Sequence, residues 1–273
     1  MTKPKQFLKL LVPPLFLLIR IQLLKLLGFF LGHEIENGYS SPLFLDHYIS
    51  RGESFKNQLD AGRTLAITEV TPALGFMLTR AASPITVLDF GGGTGNRFHI
   101  IESLFPDTEL NWNVIETPEL VRQISSKLEG GKTTANTSVL RFSSNLADFT
   151  LGKQKVDIVI AAGSLQYISD PYSKLLELIN LEAGIVHISR MPLTQQEDLL
   201  VFNQISRLDD NGPQGKSVAR NIRVSNCVYI PNLKKFESII SLKYSHVIIL
   251  IETLDGYPDS KHRVPLYSLI AYN

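Results

Sequence analysis

Val87-Leu88-Asp89-Phe90-Gly91-Gly92-Gly93-Thr94-Gly95 is the stretch on which the reading of the fold turns. The apolar residues at 85–88 read as a short buried strand, and the glycines end any regular element. Behind them Phe98, Ile101, Leu104 and Phe105 recur at helical spacing. Strand, glycine turn and helix form a setting in which a ligand can approach backbone that a Cβ would screen. The pattern is Asp-x-Gly-x-Gly-x-Gly on Asp89, Gly91, Gly93 and Gly95. It is not the dinucleotide pattern G-x-G-x-x-G, because Asn96 stands at that motif's third glycine. A tight structural turn is the plain alternative, and the acid together with the strand–helix setting argues against it.

The alternation continues downstream. Leu110–Ile115 reads as a strand ending at Glu116, 27 residues beyond Asp89. Thr117-Pro118-Glu119 caps a helix carrying Leu120, Val121, Ile124 and Leu128, which stops at Gly130-Gly131. Val139–Phe142, Val156–Ala161 and Gly184–Ser189 read as further strands, with a helix from Tyr172 to Leu181. Residues 198–205 stay ambiguous: Thr194-x-x-Glu197 suits a capping box, and Leu199-Leu200-Val201-Phe202 suits a strand. Asp209–Gly215 reads as a loop, Asn232 caps a helix to about Lys243, and His246–Glu252 with Leu266–Tyr272 form a terminal strand pair. Strands alternating with helices predict an α/β fold with a doubly wound, mainly parallel sheet. A second helix, broken near Pro72, is expected over Arg63–Ala82.

The organisation expected is a membrane-associating apolar and basic helix over 1–32, a connecting and helical cap segment over 33–84, and a core over 85–273. Five of the 27 basic residues (Lys3, Lys5, Lys9, Arg20, Lys25) and none of the 26 acidic ones precede Glu34, so the remainder is net acidic. Such a body, with no basic stripe interleaved with aromatics, argues against nucleic acid as a partner. The single cysteine, Cys227, excludes an internal disulfide and a Cys-rich zinc site, which fits a reducing compartment.

A helix from Pro14 to Leu31 would be about 27 Å long. Its central cations cost roughly 5–7 kcal/mol on insertion and its thirteen Leu, Ile and Phe residues return about the same. Gln22 and Lys25 also lie roughly 200° and 140° around from Arg20, so the polar face is not clean. An interfacial helix on an anionic membrane surface, a helix docked on the protein's own body and a membrane span are the three readings. Residues 33–62 carry no strong period. They read as a segment packing over the core or as a lid over a cofactor.

Asp89, Gly91, Gly93 and Gly95 resemble motif I of the class I S-adenosylmethionine-dependent methyltransferases. That resemblance implies a Rossmann-like fold and S-adenosyl-L-methionine as cofactor, its methionine and ribose end held by the acid and the glycine backbone. Glu116, at the end of the next strand, would take the ribose hydroxyls. It could equally cap the following helix, and an acid near this spacing also occurs in nicotinamide-binding folds. The fourth strand, Val156–Ala161, runs into Ala161-Ala162-Gly163-Ser164-Leu165-Gln166-Tyr167-Ile168-Ser169-Asp170-Pro171-Tyr172. In the family this loop borders cofactor and acceptor, so Ser164 joins the cofactor set.

That loop, with Leu110-x-Trp112-x-Val114-Ile115-Glu116-x-Pro118 and Ile188-Ser189-Arg190-Met191-Pro192-Leu193, is similar to a family of methyltransferases found among bacterial surface-polysaccharide and lipopolysaccharide biosynthesis genes. The similarity implies an acceptor that is a glycan, or a lipid-linked or nucleotide-activated sugar. The cysteine usage and the apolar, basic N-terminal segment lead to the expectation of a cytoplasmic enzyme peripheral on the inner membrane face. The match weakens after Arg190.

Methyl transfer is an in-line displacement in which positioning carries much of the catalysis, and a sugar hydroxyl also needs a base within hydrogen-bond reach. Tyr167, Arg190 and His187 are the catalytic candidates, with Asp170 and His99 behind them. His187 lies within a strand, where a packed core histidine is the plain reading, and Arg190 suits an acceptor phosphate, a carboxylate or a structural ion pair. The residues assign no base. A non-catalytic S-adenosylmethionine-binding module of a glycan-assembly complex is the second functional reading. A nicotinamide oxidoreductase is the third, disfavoured by the glycine spacing.

Overall fold

The computed structural model describes residues 28–31, 38–61, 84–128, 138–148, 155–208, 223–258 and 263–273. The N-terminal segment before residue 28, the helix expected over 63–82, the Gly130-Gly131 stop and the loop over 209–215 lie outside the described residues.

The strands are β1 (Gly28–Leu31), β2 (Ile85–Phe90), β3 (Leu110–Ile115), β4 (Val139–Ser143), β5 (Ile158–Ala162) and β6 (Ile185–Pro192). They continue with β7 (Leu199–Arg207), β8 (Arg223–Pro231), β9 (His246–Pro258) and β10 (Arg263–Tyr272). The helices are α1 (Pro42–Asp60), α2 (Asn96–Leu104), α3 (Pro118–Leu128), α4 (Pro171–Ile179) and α5 (Leu233–Ile240), with 3-10 turns at Gly38–Ser40 and Leu165–Tyr167. Seven strands form one sheet in the order β4-β3-β2-β5-β6-β10-β9. The first five are mutually parallel, and β10 runs antiparallel to both β6 and β9. β2 and β5 are apolar on both faces apart from Thr86 and Asp89, as strands covered on both sides must be.

Side chains alternate between two cores. Leu88, Val159, Val186 and Leu269 pack with Leu175 and Leu178 of α4 and Phe236 and Ile240 of α5. Val87, Trp112 and Ile160 pack on the other face with Phe98 and Ile101 of α2. The chain winds outward from β2 through β3 to β4, then restarts at β5 on the opposite side of β2. The switch point is therefore between β2 and β5, and ligands of such sheets bind outside the carboxyl ends of the strands there.

Two expectations, at residues 28–31 and at Arg190, are corrected, and two readings left open are resolved. Gly28–Leu31 does not continue a helix: it is β1, antiparallel to β7, with Gly28 opposite Ile205 and Leu31 opposite Phe202. A glycine followed by two phenylalanines has poor helix propensity, and β7 offers its backbone groups partners. Residues 199–207 are extended, because β7 pairs along its full length with β8, a strand the sequence reading passed over. Ser225, Asn226 and Cys227 interrupt its apolar pattern. The segment 38–60 contains a nineteen-residue helix, α1, opened by Ser41, whose Oγ accepts from the Phe44 amide at 3.2 Å. Arg51 and Gly52 lie on its buried face, so the apolar period is broken where the helix packs. β6 runs on to Pro192, so Arg190 is inside the strand, not beyond it.

Candidate functional site

The carboxyl end of β2 leads into the glycine turn, where Gly91 and Gly93 have φ of +68° and +63°. Only glycine adopts that conformation without strain. Side chains also fill the directions a Cβ would take: Ser164 at Gly91 (2.3 Å to its Cβ) and the Tyr48 hydroxyl at Gly93 (2.4 Å). The Gly91 amide donates to the Ile115 carbonyl at 2.8 Å, which ties the turn to the end of β3. What the turn offers to the cleft is therefore backbone.

Glu116 stands directly after β3. Its Oε1 accepts from the Gly93 amide at 3.0 Å and its Oε2 from the Thr117 amide at 3.0 Å. It thus bridges the glycine turn to the start of α3, and each oxygen keeps a second lone pair. Burial pushes its carboxyl above the usual range, with the two amide bonds and Arg97 opposing and Asp89 adding to the rise. Ser164, after β5, donates its hydroxyl to the Phe90 carbonyl at 2.8 Å and so locks the two loops of the switch point together.

Asp89 lies under the turn, with no exposed surface. Its Oδ1 accepts from Arg97 Nη1 at 2.9 Å and its Oδ2 from Trp112 Nε1 at 3.3 Å. Arg97 and Trp112 were not among the sequence candidates. A cation in the first turn of a helix opposes the helix dipole, and that was the available signal that Arg97 has an acidic partner. Arg97 also donates through Nη2 to the Ala162 carbonyl at 3.3 Å. Arg190 Nη2 donates to the same carbonyl at 2.9 Å, so two guanidinium groups meet at the carboxyl end of β5.

Arg190 sits at a bulge in β6. Ile188 and Met191 pair with Leu269 and Tyr267, so two residues face one across β10. Its φ of +52° is uncommon outside glycine. The bulge turns the guanidinium over Gly163, and the Arg190 amide donates to Glu252 Oε1 at 3.1 Å. Tyr167, in the turn after β5, donates to Gln204 Oε1 of β7 at 3.1 Å. Burial raises its phenol above the ordinary value, with Tyr39, Arg190 and Gln166 among the neighbours holding the rise back. Tyr39 packs edge-on against Tyr167 with ring centres 4.8 Å apart, and equally against Phe44 at 4.8 Å.

The other candidates are elsewhere. His187 is 2 % exposed in the middle of β6, its Nε2 3.1 Å from Ser268 Oγ. Burial, and then Arg97, lower its pKa to about 4, so it is neutral near pH 7. His99 lies on α2, where burial and Lys56 lower it to about 4 against the opposing pull of Asp60. Asp170 caps α4, accepting from the Ser173 amide at 3.0 Å and the Ser173 hydroxyl at 2.6 Å. Those two bonds hold its carboxyl below the usual range. The structure thus gathers Asp89, the three glycines, Glu116 and Ser164 at the switch point, sets Tyr167 and Arg190 beside it, and keeps His187 in the core.

The order of the sheet and its reversed final hairpin settle the architecture. This is the Rossmann-like class I methyltransferase fold. No protein-family model matches the sequence, and no curated protein does. Among solved structures, the chain is similar to a SAM-dependent methyltransferase from Methanosarcina mazei at 10% identity and a TM-score of 0.46, covering 74% of this chain and 97% of that one. The glycopeptide N-methyltransferase MtfA, complexed with sinefungin, is 12% identical at a TM-score of 0.46, covering 76% and 87%. The 1,6-didemethyltoxoflavin-N1-methyltransferase of Burkholderia thailandensis is 13% identical at a TM-score of 0.43, covering 87% and 92%.

Proposed function

We propose that this protein is an S-adenosylmethionine-dependent methyltransferase whose acceptor is a hydroxyl of a glycan, or of a lipid-linked or nucleotide-activated sugar. The observation that carries the cofactor reading is Glu116 bound to the Gly93 amide at the switch point. Its remaining lone pairs suit the two hydroxyls of a ribose, and each such bond is charge-assisted. The three positive-φ glycines have no side chains of their own, so the turn beside it presents backbone. Asp89 acts from beneath, fixing α2 and the turn through Arg97. When bound, the cofactor supplies a methyl group on a sulfonium, open to in-line attack. The residues of this chain hold that group and the acceptor in line and exclude water.

The glycan part of the reading rests only on the resemblance carried by residues 161–172 and 188–193. Arg190 and Tyr167 form the acceptor side in this reading. Tyr167→Phe removes the bond to Gln204, and Arg190→Ala removes the guanidinium over Gly163. Each should slow turnover at least tenfold while leaving S-adenosylhomocysteine affinity within about threefold, a change below roughly 0.7 kcal/mol. A folded variant that loses S-adenosylhomocysteine in calorimetry would move that residue to the cofactor side. His187 and Asp170 are held by Ser268 and Ser173, which favours the non-catalytic S-adenosylmethionine-binding module as the second reading. A 14 Da gain on a sugar precursor incubated with protein and cofactor decides for the enzyme.

We further infer that residues 1–27 attach the protein to an anionic membrane surface. Among the described residues, no helix is long and apolar enough to cross a membrane. Five cations with no acid suit such a surface, each contributing about 1 kcal/mol beside it. Removing residues 1–27 leaves β1 and its pairing with β7. That variant should stay at the bottom of a density gradient when the full chain floats with anionic vesicles. High salt should weaken flotation only in part, since screening removes the charge contribution and leaves the apolar one. A full chain that fails to float at low salt overturns the attachment.

A further inference from the structure

We propose that Tyr48 is a ligand-contacting residue of the cleft, its phenol donating a hydrogen bond to the carboxylate at the amino-acid end of the bound cofactor. The proposal rests on the reading of the glycine turn as an S-adenosylmethionine site and names a residue from outside the turn.

Phe44, Tyr48 and Gly52 are spaced four apart and form one stripe along α1. The stripe lies on the turn. A Cβ on Gly52 would come within 2.2 Å of Thr94 Oγ1, so α1 meets the turn at a distance only glycine permits. One helical turn earlier, the Tyr48 hydroxyl stands over Gly93, 2.4 Å from where a Cβ would be. One turn earlier again, the Phe44 ring stacks on Tyr48 with centres 5.4 Å apart and planes 20° from parallel. The Phe44 ring thus holds the Tyr48 ring by stacking, and the approach of Gly52 to Thr94 fixes α1 against the turn. Tyr39 in turn packs on Phe44 and continues the aromatic row to Tyr167 on the acceptor side.

The chemistry divides across the turn. Glu116 lies on one side of Gly93 and offers acceptor oxygens, which suit the hydroxyls of a ribose. A carboxylate brought there would be repelled by it. Tyr48 lies over the same glycine and carries a donor, which suits a carboxylate. The first turn of α2 opens directly behind, at Gly95 and Asn96, and its dipole favours an anion on that side. The cofactor carries both groups, a ribose diol on one side of its sulfonium and an amino-acid carboxylate on the other. Gly93 lies where they divide.

The test compares S-adenosylmethionine with its decarboxylated form, which keeps the sulfonium, the ribose and the ammonium and lacks only the carboxylate. Tyr48→Phe keeps the ring, so Phe44 stacking and the fold should persist, checked by thermal melting. Calorimetry should show S-adenosylmethionine weakened about 10- to 100-fold in the variant, as for loss of a hydrogen bond to a charged group, and the decarboxylated form changed less than about twofold. Equal weakening of both compounds, or no weakening of either, overturns the role of Tyr48 while the cofactor reading stands. If the wild-type protein binds neither compound, the reading of the glycine turn fails and this proposal fails with it.

Discussion

Asp89→Ala should destabilise the protein by about 3–5 kcal/mol, the cost of breaking a buried ion pair from one side. Arg97 would be left nearly buried beside Ala162 with its carboxylate gone, and the Trp112 indole would lose its acceptor. Asp89→Asn should cost less, because an amide oxygen still accepts from one of the two. Trp112 is the chain's sole tryptophan and is fully buried, so its fluorescence during urea unfolding reads the loss directly. A fall in stability below about 1 kcal/mol would show that the Asp89–Arg97 pair does not hold the turn. Because Asp89 has no exposed surface, its effect on cofactor affinity should follow the loss of structure and vanish under conditions that restore it.

Glu116→Ala is the complementary case, with its largest effect on the ligand. Losing charge-assisted bonds to ribose hydroxyls should cost about 1.5–3 kcal/mol, or roughly 10- to 150-fold in S-adenosylhomocysteine affinity. Unchanged affinity in a folded variant would remove Glu116 from the site. The pH dependence has a definite sign. Burial raises the Glu116 pKa in the folded protein, so its contribution to folding is most favourable at low pH and is lost as pH rises through the raised value. The ionised form is the one that accepts from hydroxyls. Cofactor affinity should therefore fall as pH is lowered through that raised value, above the ordinary carboxylate range. Glu116→Gln should flatten this dependence, since the amide does not titrate there.

The glycine turn at the switch point, with Asp89 and Glu116 beside it, was legible because its signals are local. Asp89 and Gly91, Gly93 and Gly95 lie within seven residues, and Glu116 is marked by the end of an apolar run and the Thr117-Pro118 cap. The parallel strands were legible for the same reason, being short apolar runs between turn signals. What escaped depends on contacts between distant segments. Gly52 interrupts the apolar face of α1, and only Thr94 pressed against it shows why a glycine stands there. Ser225, Asn226 and Cys227 interrupt the apolar pattern of β8, and its pairing with β7 is what makes it a strand. Arg190 reads as a residue after a strand because a bulge is a difference of register between β6 and β10. Tyr48 carries no motif at all, and only the seating of α1 brings it over Gly93.

β9 is the outermost strand of the large sheet, and Val247-Ile248-Ile249-Leu250-Ile251 runs through it without a charge or a proline. Val247 and Ile249 pack inward, whereas Ile248, Leu250 and Ile251 are 40%, 50% and 56% exposed. An edge strand of that composition is a template on which a second chain can pair, and the run 247–251 carries none of the lysines and prolines that blunt such edges. Preparations should accordingly cluster with rising concentration, with or without residues 1–27. Leu250→Lys should keep them dispersed while leaving Glu116 and the glycine turn untouched. In a pelleting assay such clusters would sediment beside lipid and mimic attachment to it. Upward flotation tells the two apart, because clustered protein sinks and vesicle-bound protein rises.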